Sequence, residues 1–332
     1  MGLFMLKQLY IKASDSYYKN KYKKDKERIQ KEMHKTLSNL PENEYEDFLR
    51  DLYKKRTGNE LDFANPITYT QKLQWLKLYD EPEKKSVFAD KYAVRSYIKD
   101  TIGEEYLIPL ISIDGKDCFY NADEIDFNKL PEQFVLKCNH GSGTNIIVDN
   151  KSALTKKDIR RIKNKLNNWL RQNFAYINGL ELAYRFIKPC IMIEKYMAID
   201  GDLPDYKFYC FNGEAKNIIY DRNRFTNHER NFYDTDWKYL AIDTDCKCFG
   251  DVIPKPENLD SLVSTASAIS KGFKSIRVDL YNINGKIYFG EMTFYPWGGF
   301  VGFTPNDIDY EWGNYISIDQ SKRENNLKYR KK

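Results

Sequence analysis

The sequence predicts an α+β fold in which an N-terminal helical region precedes two α/β lobes. Apolar residues recur at helical spacing over residues 1–100, β-rich runs alternate with amphipathic segments after them, and 42% hydrophobic residues supply a sizeable core. The predicted units are a helical region over 1–65, a linking region over 66–132, a smaller lobe over 133–198, a larger lobe over 199–320 and a disordered polar tail over 321–332.

The N-terminal region is basic and amphipathic. Met1–Ala13 mixes leucine and phenylalanine with Lys7 and Lys12, and a lysine-rich stretch runs from Lys19 to Lys35. Such a segment can rest on an anionic membrane surface, or it can pack as a solvated helix on the rest of the protein, which is the more common arrangement.

Periodicity and turn signals give the remaining elements in order. The predicted helices are Tyr69–Tyr79, Glu83–Asp100, Thr155–Phe174 and Pro256–Phe273, the third beginning with a capping box at Thr155 and Asp158. The predicted strands are Tyr106–Ile113, Gln133–Asn139, Asn145–Val148, Pro189–Met197, and the hairpin of Tyr206–Phe211 with Ala215–Tyr220 across Asn212-Gly213.

A second hairpin, within Ser275–Gly299, carries one carboxylate on each strand, Asp279 and Glu291. A two-residue turn at Asn284-Gly285 would place the two on opposite faces, whereas a three-residue loop from Ile283 to Gly285 sets them opposite each other. We favour the three-residue loop. Facing carboxylates among apolar neighbours need a cation, either a shared divalent ion or an ion pair with a neighbour such as Arg277.

Composition excludes several classes of protein. The chain has no apolar run long enough to span a bilayer and begins without the apolar core of a signal peptide, so we expect a cytoplasmic protein. Six scattered cysteines and three histidines fit neither a zinc site nor a disulfide framework. A net charge of +5, evenly mixed, gives little support for nucleic-acid binding but suits anionic small molecules, sugars or a membrane surface.

Two segments have the chemistry of a nucleotide site. Lys137 lies near the end of an apolar strand and is followed by the small-residue loop His140-Gly141-Ser142-Gly143-Thr144, so an ammonium and backbone N–H groups can meet one anion. The apolar strand ending in Glu194-Lys195-Tyr196-Met197 runs into a connector with Asp200 and Asp202, which suits an adenine edge and ribose hydroxyls. Each segment alone is equally consistent with an ordinary turn.

Taken in order, these pieces resemble the ATP-grasp superfamily, and its TupA-like branch of teichuronopeptide and capsular polysaccharide synthesis, over about Thr68–Gly313. The resemblance implies a fold of two lobes that clasp a nucleotide. It also implies roles for residues that match the family's motifs: phosphate binding by Lys91, Lys137 and the loop His140–Thr144, adenine binding by Glu194–Met197, ribose binding by Asp200 or Asp202, and a cation for the transferred phosphate from Lys207.

The same resemblance implies the cofactors ATP and Mg²⁺ and a carboxylate–amine ligase. Asp279, Glu291 and Thr293 correspond to the metal signature, and Arg277 to the arginine that stabilises the acyl-phosphate stage. Many members have asparagine where this chain has Thr293, so the threonine is the weakest of the three ligands.

The acceptor is predicted from an Arg-rich segment. Arg222, Arg224 and Arg230 can bind carboxylates as forks, and Trp297, like Trp237 and Tyr295 if exposed, can stack on a sugar face. We therefore expect a hexuronic acid of a polysaccharide or its precursor as the carboxylate substrate, with an amino acid or small amine as the nucleophile. Ordinary surface ion pairs and core aromatics are an equally good account of these residues.

Three other functions remain open at this point. A sugar or small-molecule kinase would use the same ATP site with a hydroxyl acceptor. A glycosyltransferase would use a D-x-D pair, and Asp234-Thr-Asp236 and Asp243-Thr-Asp245 match that short pattern. A non-enzymatic scaffold would keep the fold and tolerate loss of Asp279 and Glu291.

Overall fold

The computed structural model describes residues 28–197, 203, 205–222, 229–244, 248 and 253–330. The described chain is helical from residue 28 to Thr101, as predicted, while the basic segments Met1–Ala13 and 19–27 lie outside the described residues. The helices are α1 (28–37), α2 (Tyr45–Thr57), α3 (Tyr69–Tyr79), α4 (Pro82–Ala89) and α5 (Val94–Thr101). A capping box of Thr68 and Gln71 begins α3, and nine of its side chains are buried, so this helix lies at the centre of the main core.

The prediction of one helix over Glu83–Asp100 is wrong, because the chain breaks between α4 and α5. Asp90 Oδ1 accepts the backbone N–H groups of Tyr92 and Ala93, at 2.8 and 3.1 Å. An aspartate that bonds the backbone two residues on favours a turn over a helix. The break places Lys91 in the turn, pointing away from both helices toward the strands described below.

A four-stranded antiparallel sheet forms the smaller lobe, in the order β1 (Cys118–Phe119), β4 (Ile191–Lys195), β2 (Phe134–Cys138), β3 (Asn145–Val148). The helix α6 (Lys156–Leu170) lies between β3 and β4 in sequence, begins with the predicted capping box at Thr155, and packs on β2. This lobe has its own apolar core, which also takes in Ile113 to Leu130. The small sheet therefore recruits part of the predicted linking region.

Residues 106–113 were predicted to be a strand but form isolated bridges instead, two of which reach the sheets. Leu107 pairs with Phe289 of the larger sheet, and Leu110 pairs with Glu194 of the small sheet. The segment therefore ties the two sheets together, which is why it has the composition of a strand without belonging to either ladder.

In the described part of the chain, the larger sheet has six antiparallel strands in the order β10 (Lys286–Thr293), β9 (Ser275–Ile283), β5 (Asp205–Phe211), β6 (Glu214–Arg222), β7 (Glu229–Asp234), β8 (Tyr239–Leu240). The predicted β5–β6 turn at Asn212-Gly213 is present, with both residues at positive φ. The helix α7 (Leu259–Ser270) covers one face, where Cys210 Sγ lies 3.8 Å from the carbonyl oxygen of Ala266. The opposite face is free to carry polar side chains.

The β9–β10 hairpin pairs Asp279 with Glu291, as predicted, but the predicted three-residue loop is wrong. Ile283 pairs with Lys286, so the turn is the two-residue Asn284-Gly285, with φ of 52° and 81° as a type I′ turn requires. A β-bulge at Gly290 adds the residue that shifts the register between Phe289 and Glu291. A Cβ on Gly290 would lie 2.9 Å from the carbonyl oxygen of Asp279, so the bulge requires glycine.

The C-terminal part is helical, with α8 (Asp307–Asn314) and α9 (Gln320–Arg330). The expectation of a disordered tail from Ser321 is therefore wrong as far as Arg330. Arg323 of α9 donates to both carboxylate oxygens of Glu46 in α2, at 2.6 and 2.9 Å, and this contact holds the helix on the body of the protein. In the described part of the chain, no helix is both long and apolar enough to cross a membrane.

Candidate functional site

The polar face of the larger sheet collects charged side chains because residues two apart on a strand share a face. Lys207 on β5 pairs with Asp279 on β9, which pairs with Glu291 on β10. One step along the strands, Arg277 pairs with Thr293. The strands of one sheet thus bring together five residues predicted from separate motifs.

Arg277 holds both carboxylates of the predicted metal pair. Its Nε lies 2.6 Å from Asp279 Oδ1, and its Nη2 lies 2.8 Å from Asp279 Oδ2 and 2.9 Å from Glu291 Oε1. Thr293 Oγ1 is 3.1 Å from both Arg277 Nη2 and Glu291 Oε1, so the threonine belongs to the cluster. The ion pair with Arg277 considered from the sequence is therefore present.

Lys207 lies in the middle of this face and is 3% exposed. Its Nζ pairs with Asp205, lies 3.2 Å from Asp279 Oδ2 and lies 3.8 Å from Asp221 Oδ2. A buried ammonium is stable here because carboxylates surround it. The motif Asp205-Tyr206-Lys207 therefore works as a unit in which the aspartate holds the lysine.

Lys91 connects the larger sheet to the small-residue loop. Its Nζ lies 3.2 Å from Glu291 Oε2 and donates to the carbonyl oxygen of Gly141 at 2.6 Å. Its backbone N–H donates to the carbonyl oxygen of Asn139 at 2.9 Å. A single cation thus contacts both the carboxylate pair and the loop at the end of β2.

Among the described residues, the charges on this face balance. Four cations, Lys91, Lys207, Arg230 and Arg277, contact four carboxylates, Asp205, Asp221, Asp279 and Glu291. Within the described ranges, no group of three or more histidine, cysteine or carboxylate side chains is arranged to hold a metal ion by itself. The oxygen atoms of Asp279, Glu291 and Thr293 nevertheless fit Mg²⁺, which prefers few protein carboxylates together with phosphate and water oxygens.

The pKa directions follow from this arrangement. Burial opposes the charge on Glu291, but Lys91 and Arg277 outweigh it and hold its pKa below the ordinary value. Burial raises the pKa of Asp279, and the charges of Arg277 and Lys207 oppose that rise. Burial likewise disfavours the charge on Arg277, yet the two carboxylates raise its pKa well above the ordinary value.

The small-residue loop is packed against its surroundings. His140 is buried and its Nε2 lies 3.0 Å from the carbonyl oxygen of Trp169, to which it donates, while burial lowers its pKa. Its Nδ1 has no hydrogen-bond partner among the described residues. Gly141, at φ 84°, lies so close to Phe174 that a Cβ would be 2.3 Å from the ring. The remaining loop residues, Ser142, Gly143 and Thr144, continue toward β3.

The predicted adenine segment lies at the end of β4, in the small sheet. Lys137 Nζ on β2 pairs with Glu194 Oε2 at 2.5 Å, so the two predicted nucleotide motifs meet. Lys195 is exposed, and Tyr196 and Met197 are half-buried. Asp200 and Asp202 lie outside the described residues.

The predicted acceptor residues are distributed differently from the expectation. Arg230 is buried, and its Nε lies 2.8 Å from Asp221 Oδ1, while its guanidinium stands 5.2 Å from the ring centre of the half-buried Trp297. Trp297 also stacks on Tyr209, with ring centres 5.9 Å apart. Arg224 and the side chain of Arg222 lie outside the described residues.

Two of the aromatic residues considered for sugar stacking are core residues. Trp237 and Tyr295 are 6% and 2% exposed, and Trp237 stacks on Tyr233 at 4.1 Å between ring centres. The D-x-D at Asp234-Thr-Asp236 is a turn, since Asp234 Oδ1 accepts the backbone N–H groups of Asp236 and Lys238. These contacts account for the residues without a ligand.

The sequence analysis did not predict the buried hydrogen bonds that hold the Pro296–Gly299 turn. Lys77 on α3 is fully buried, and its Nζ donates to the carbonyl oxygens of Gly298 at 2.7 Å and Gly179 at 2.8 Å. Gln74 donates to the carbonyl oxygen of Gly299 at 2.7 Å. The available signal was a lysine between Leu76 and Leu78 in an apolar helix, where a charge must find acceptors.

The family model described as TupA-like ATP-grasp matches residues 71–317. None of the curated proteins matches the chain. Among solved structures, the chain is similar to D-alanine–D-alanine ligase from Bacillus anthracis, with 20% identity, a TM-score of 0.39 and coverage of 74% of this chain and 69% of that chain.

The chain is also similar to two further solved structures. The ATP-grasp ligase PsnB complexed with a minimal precursor has 10% identity, a TM-score of 0.36 and coverage of 79% and 69% of the two chains. The L-amino acid ligase from Bacillus licheniformis has 16% identity, a TM-score of 0.36 and coverage of 61% and 42%.

Proposed function

Because the chain belongs to the TupA-like ATP-grasp family, we propose that it is an ATP-dependent carboxylate–amine ligase that acts through an acyl phosphate. The observation that carries the proposal is the meeting of Lys207, Asp279 and Glu291 on one polar face, joined by Lys91 to a glycine-rich loop. A triphosphate needs cations and backbone donors on one side and oxygen ligands for its metal on the other.

In the proposed reaction, the substrate carboxylate attacks the γ-phosphorus of ATP, and ADP leaves. The amine then attacks the acyl carbon, an amide forms, and phosphate and a proton are released. Lys91, Lys137 and Lys207 would offset phosphate charge, and Glu194–Met197 would contact the adenine, with Asp200 or Asp202 on the ribose. The loop His140–Thr144 would cover the phosphates.

Asp279, Glu291 and Thr293 would hold Mg²⁺, which when bound draws charge from the β- and γ-phosphate oxygens. Arg277, which donates to both carboxylates, would stabilise the oxygens that gain charge at the acyl-phosphate stage. Removing one such donor costs about 3 kcal/mol of transition-state stabilisation. Catalysis is thus assigned to positioning and electrostatics, with no covalent enzyme nucleophile.

The acceptor is proposed to be a hexuronic acid of a cell-surface polysaccharide such as a capsule, or its precursor, with an amino acid or small amine as nucleophile. Arg222, Arg224, Arg230 and Trp297 are the proposed contacts, and the pairing of Arg230 with Trp297 supports a joint carboxylate and sugar-face role. Since ATP is consumed, we place the reaction in the cytoplasm, with the basic N-terminal segment at the inner membrane surface.

The test measures ADP release with uronic acids and amines, and measures hydroxamate when hydroxylamine replaces the amine. We expect ADP and hydroxamate from the wild type, and a fall of about 100-fold or more for Asp279→Asn, which loses contacts with Arg277 and Lys207. Asp51→Asn, on the exposed side of α2, is the matched control and should keep full activity.

Release of AMP would contradict the acyl-phosphate route. A phosphorylated product stable to hydroxylamine would assign the site to a kinase instead. Full activity of Asp279→Asn would remove the carboxylate pair from the mechanism.

A further inference from the structure

The turn after β10 has a backbone conformation that costs free energy. Trp297, Gly298 and Gly299 have φ values of 52°, 65° and 69°, so three consecutive residues are left-handed. Glycine adopts this conformation readily, whereas the Cβ of a tryptophan makes it unfavourable. A strained residue persists only where its surroundings hold it in place. The contacts of this turn must therefore offset the strain at Trp297.

Two side chains of α3 hold the carbonyl groups of the turn. Lys77 Nζ donates to the carbonyl oxygen of Gly298 at 2.7 Å, and Gln74 Nε2 donates to that of Gly299 at 2.7 Å. Lys77 Nζ also donates to Gln74 Oε1 at 2.8 Å, so the two side chains act together. A Cβ on Gly299 would lie 2.5 Å from Gln74 Nε2, which shows that the turn lies directly on the helix.

Stability alone does not explain a lysine at this position of α3. Lys77 is 0% exposed, and the described oxygens that accept from its Nζ, those of Gln74, Gly179 and Gly298, are all neutral. Burial lowers the pKa of Lys77, and the charge of Glu181 opposes that fall. A buried charge is costly, and a well-packed apolar side chain is often at least as stabilising. What the ammonium adds is direction, because it fixes two loops to one helix.

The turn places the half-buried Trp297 ring at the border of the polar face. The ring stacks on Tyr209, with centres 5.9 Å apart, and lies edge-on to Phe303 at 6.3 Å. Its centre lies 5.2 Å from the guanidinium carbon of Arg230, within the range of a cation–π contact. The position of the turn thus decides where the indole meets the guanidinium.

A series of contacts connects this guanidinium to the predicted phosphate-binding residues. Arg230 Nε lies 2.8 Å from Asp221 Oδ1, and Asp221 Oδ2 lies 3.8 Å from Lys207 Nζ. Lys207 Nζ in turn lies 3.2 Å from Asp279 Oδ2. Because the ring against which a guanidinium packs helps to orient it, moving Trp297 would change how Arg230 meets Asp221.

We propose that Lys77 is a positioning residue of the proposed ligase, which fixes the Pro296–Gly299 turn so that Trp297 covers Arg230. The proposal rests on the proposed function, in which Trp297 and Arg230 contact the acceptor, and it adds the residue that sets their geometry. Lys77 itself contacts neither nucleotide nor acceptor, because it is fully buried beneath the turn. Its loss should therefore lower turnover while Mg-ATP binding persists.

The first test compares Lys77→Met with Lys72→Met by ADP release and by calorimetry of Mg-ATP binding to the full chain. Lys72 is the matched control, because it lies on the same helix and its Nζ also donates to two carbonyl oxygens, of Gly313 and Ile316, at 2.8 Å each. Those oxygens belong to the end of α8 and the residues after it, and not to the turn. Thermal melting sets an assay temperature at which both variants are folded.

We expect both variants to be less stable than the wild type, since each loses hydrogen bonds to carbonyl oxygens. In Lys77→Met, kcat should fall at least about tenfold, because misplaced substrate contacts slow the reaction. Its Kd for Mg-ATP should stay within about twofold of the wild type, and Lys72→Met should keep the wild-type kcat. A wild-type kcat in Lys77→Met, or Mg-ATP binding that weakens in step with kcat, would overturn the assignment.

The second test needs no acceptor and uses fluorine NMR of the full chain labelled with 5-fluorotryptophan. The variant Trp297→Phe identifies the Trp297 resonance. We expect Lys77→Met to shift or split that resonance and to leave those of Trp169 and Trp237 in place, whereas Lys72→Met should leave the Trp297 resonance as in the wild type. An unchanged Trp297 resonance in Lys77→Met would contradict the proposal.

Gln74→Met is the second variant, for the case that Lys77→Met does not melt cooperatively. It removes the bond to Gly299 and keeps the lysine, so it should change the Trp297 resonance in the same direction, and an unchanged resonance would again contradict the proposal. If the wild type releases no ADP with any acid and amine, the ligase function fails, and the Trp297 resonance alone decides whether Lys77 positions the turn.

Discussion

Arg277 contacts both Asp279 and Glu291 through one guanidinium, so three side chains two or fourteen positions apart in sequence act as one group. A fork of this kind fixes the carboxylate oxygens before any ligand arrives. The oxygens that would hold Mg²⁺ are therefore the ones to which Arg277 donates.

Glu291 gives a prediction about pH. Its pKa is held below the ordinary value of 4.5, so its charge stabilises the folded state above that pH, and the contribution is lost progressively as pH falls below it. Asp279 has the opposite sign, because its pKa is raised and its protonation favours the folded state. Glu291→Gln should therefore flatten the loss of stability on acidification.

Urea unfolding at pH 7 and pH 4 of wild type and Glu291→Gln provides the measurement. The wild type should lose more free energy of unfolding between the two pH values than the variant does. Glu324→Gln, exposed on α9, is the control and should behave as the wild type. If the variant lost as much free energy of unfolding on acidification as the wild type, Glu291 would not be the source of that loss.

At the scale of elements, the β-bulge at Gly290 decides whether the site exists. A Cβ there would lie 2.9 Å from the carbonyl oxygen of Asp279 and 3.2 Å from the Tyr281 ring. We expect Gly290→Ala to lower the free energy of unfolding by about 1–3 kcal/mol and to reduce ADP release, because either the backbone or the Glu291 register must shift. Chemical denaturation and the ADP assay measure the two effects.

Gly302→Ala is the matched control, since a Cβ at Gly302 meets no atom within 4 Å. It should leave both quantities unchanged. If Gly290→Ala were as stable and active as this control, the bulge would have no part in holding Glu291.

The same hairpin shows what the sequence could and could not predict. The need of Asp279 and Glu291 for a shared cation predicted their pairing correctly, but the extra residue was placed in the turn instead of at Gly290. A bulge depends on how two strands meet, whereas Asn284-Gly285 is a local signal that fits either register. The break at Asp90 was missed for a related reason, because apolar spacing continues across it.

At the scale of the whole molecule, contacts between residues far apart in sequence determine structure that composition alone does not predict. The polar composition of Ser321–Lys332 predicted disorder, yet Arg323 reaches Glu46, which is 277 positions away. Likewise Lys91 and Glu291 meet only because two sheets are brought together. Motif order predicted that Lys207, Asp279 and Glu291 would lie together, but not that Arg230 would pair with Asp221.

The ion pair between Arg323 in α9 and Glu46 in α2 gives another prediction. Arg323→Ala leaves Glu46, which is largely buried, with Tyr79 and Arg50 as partners, so we expect a loss of about 1–2 kcal/mol in free energy of unfolding. Glu324→Ala on the exposed side of the same helix should be neutral. Thermal and urea unfolding measure both, and equal stability of the two variants would show that α9 is not held by this ion pair.

A last prediction concerns chelation. Among the described residues, each of the four carboxylates of the polar face contacts a cation of the protein, so this face does not need a metal to compensate its charge. We expect EDTA to abolish ADP release while leaving the melting temperature unchanged. A fall in melting temperature with EDTA would show that the metal supports the fold, as it does in zinc fingers.

The charge balance of the polar face separates folding from the binding of metal and nucleotide. We expect the chain to fold without magnesium or nucleotide, which then bind to the folded protein. A shortage of magnesium would then stop turnover while the fold stays intact, and restoring the ion would restore turnover with no new synthesis.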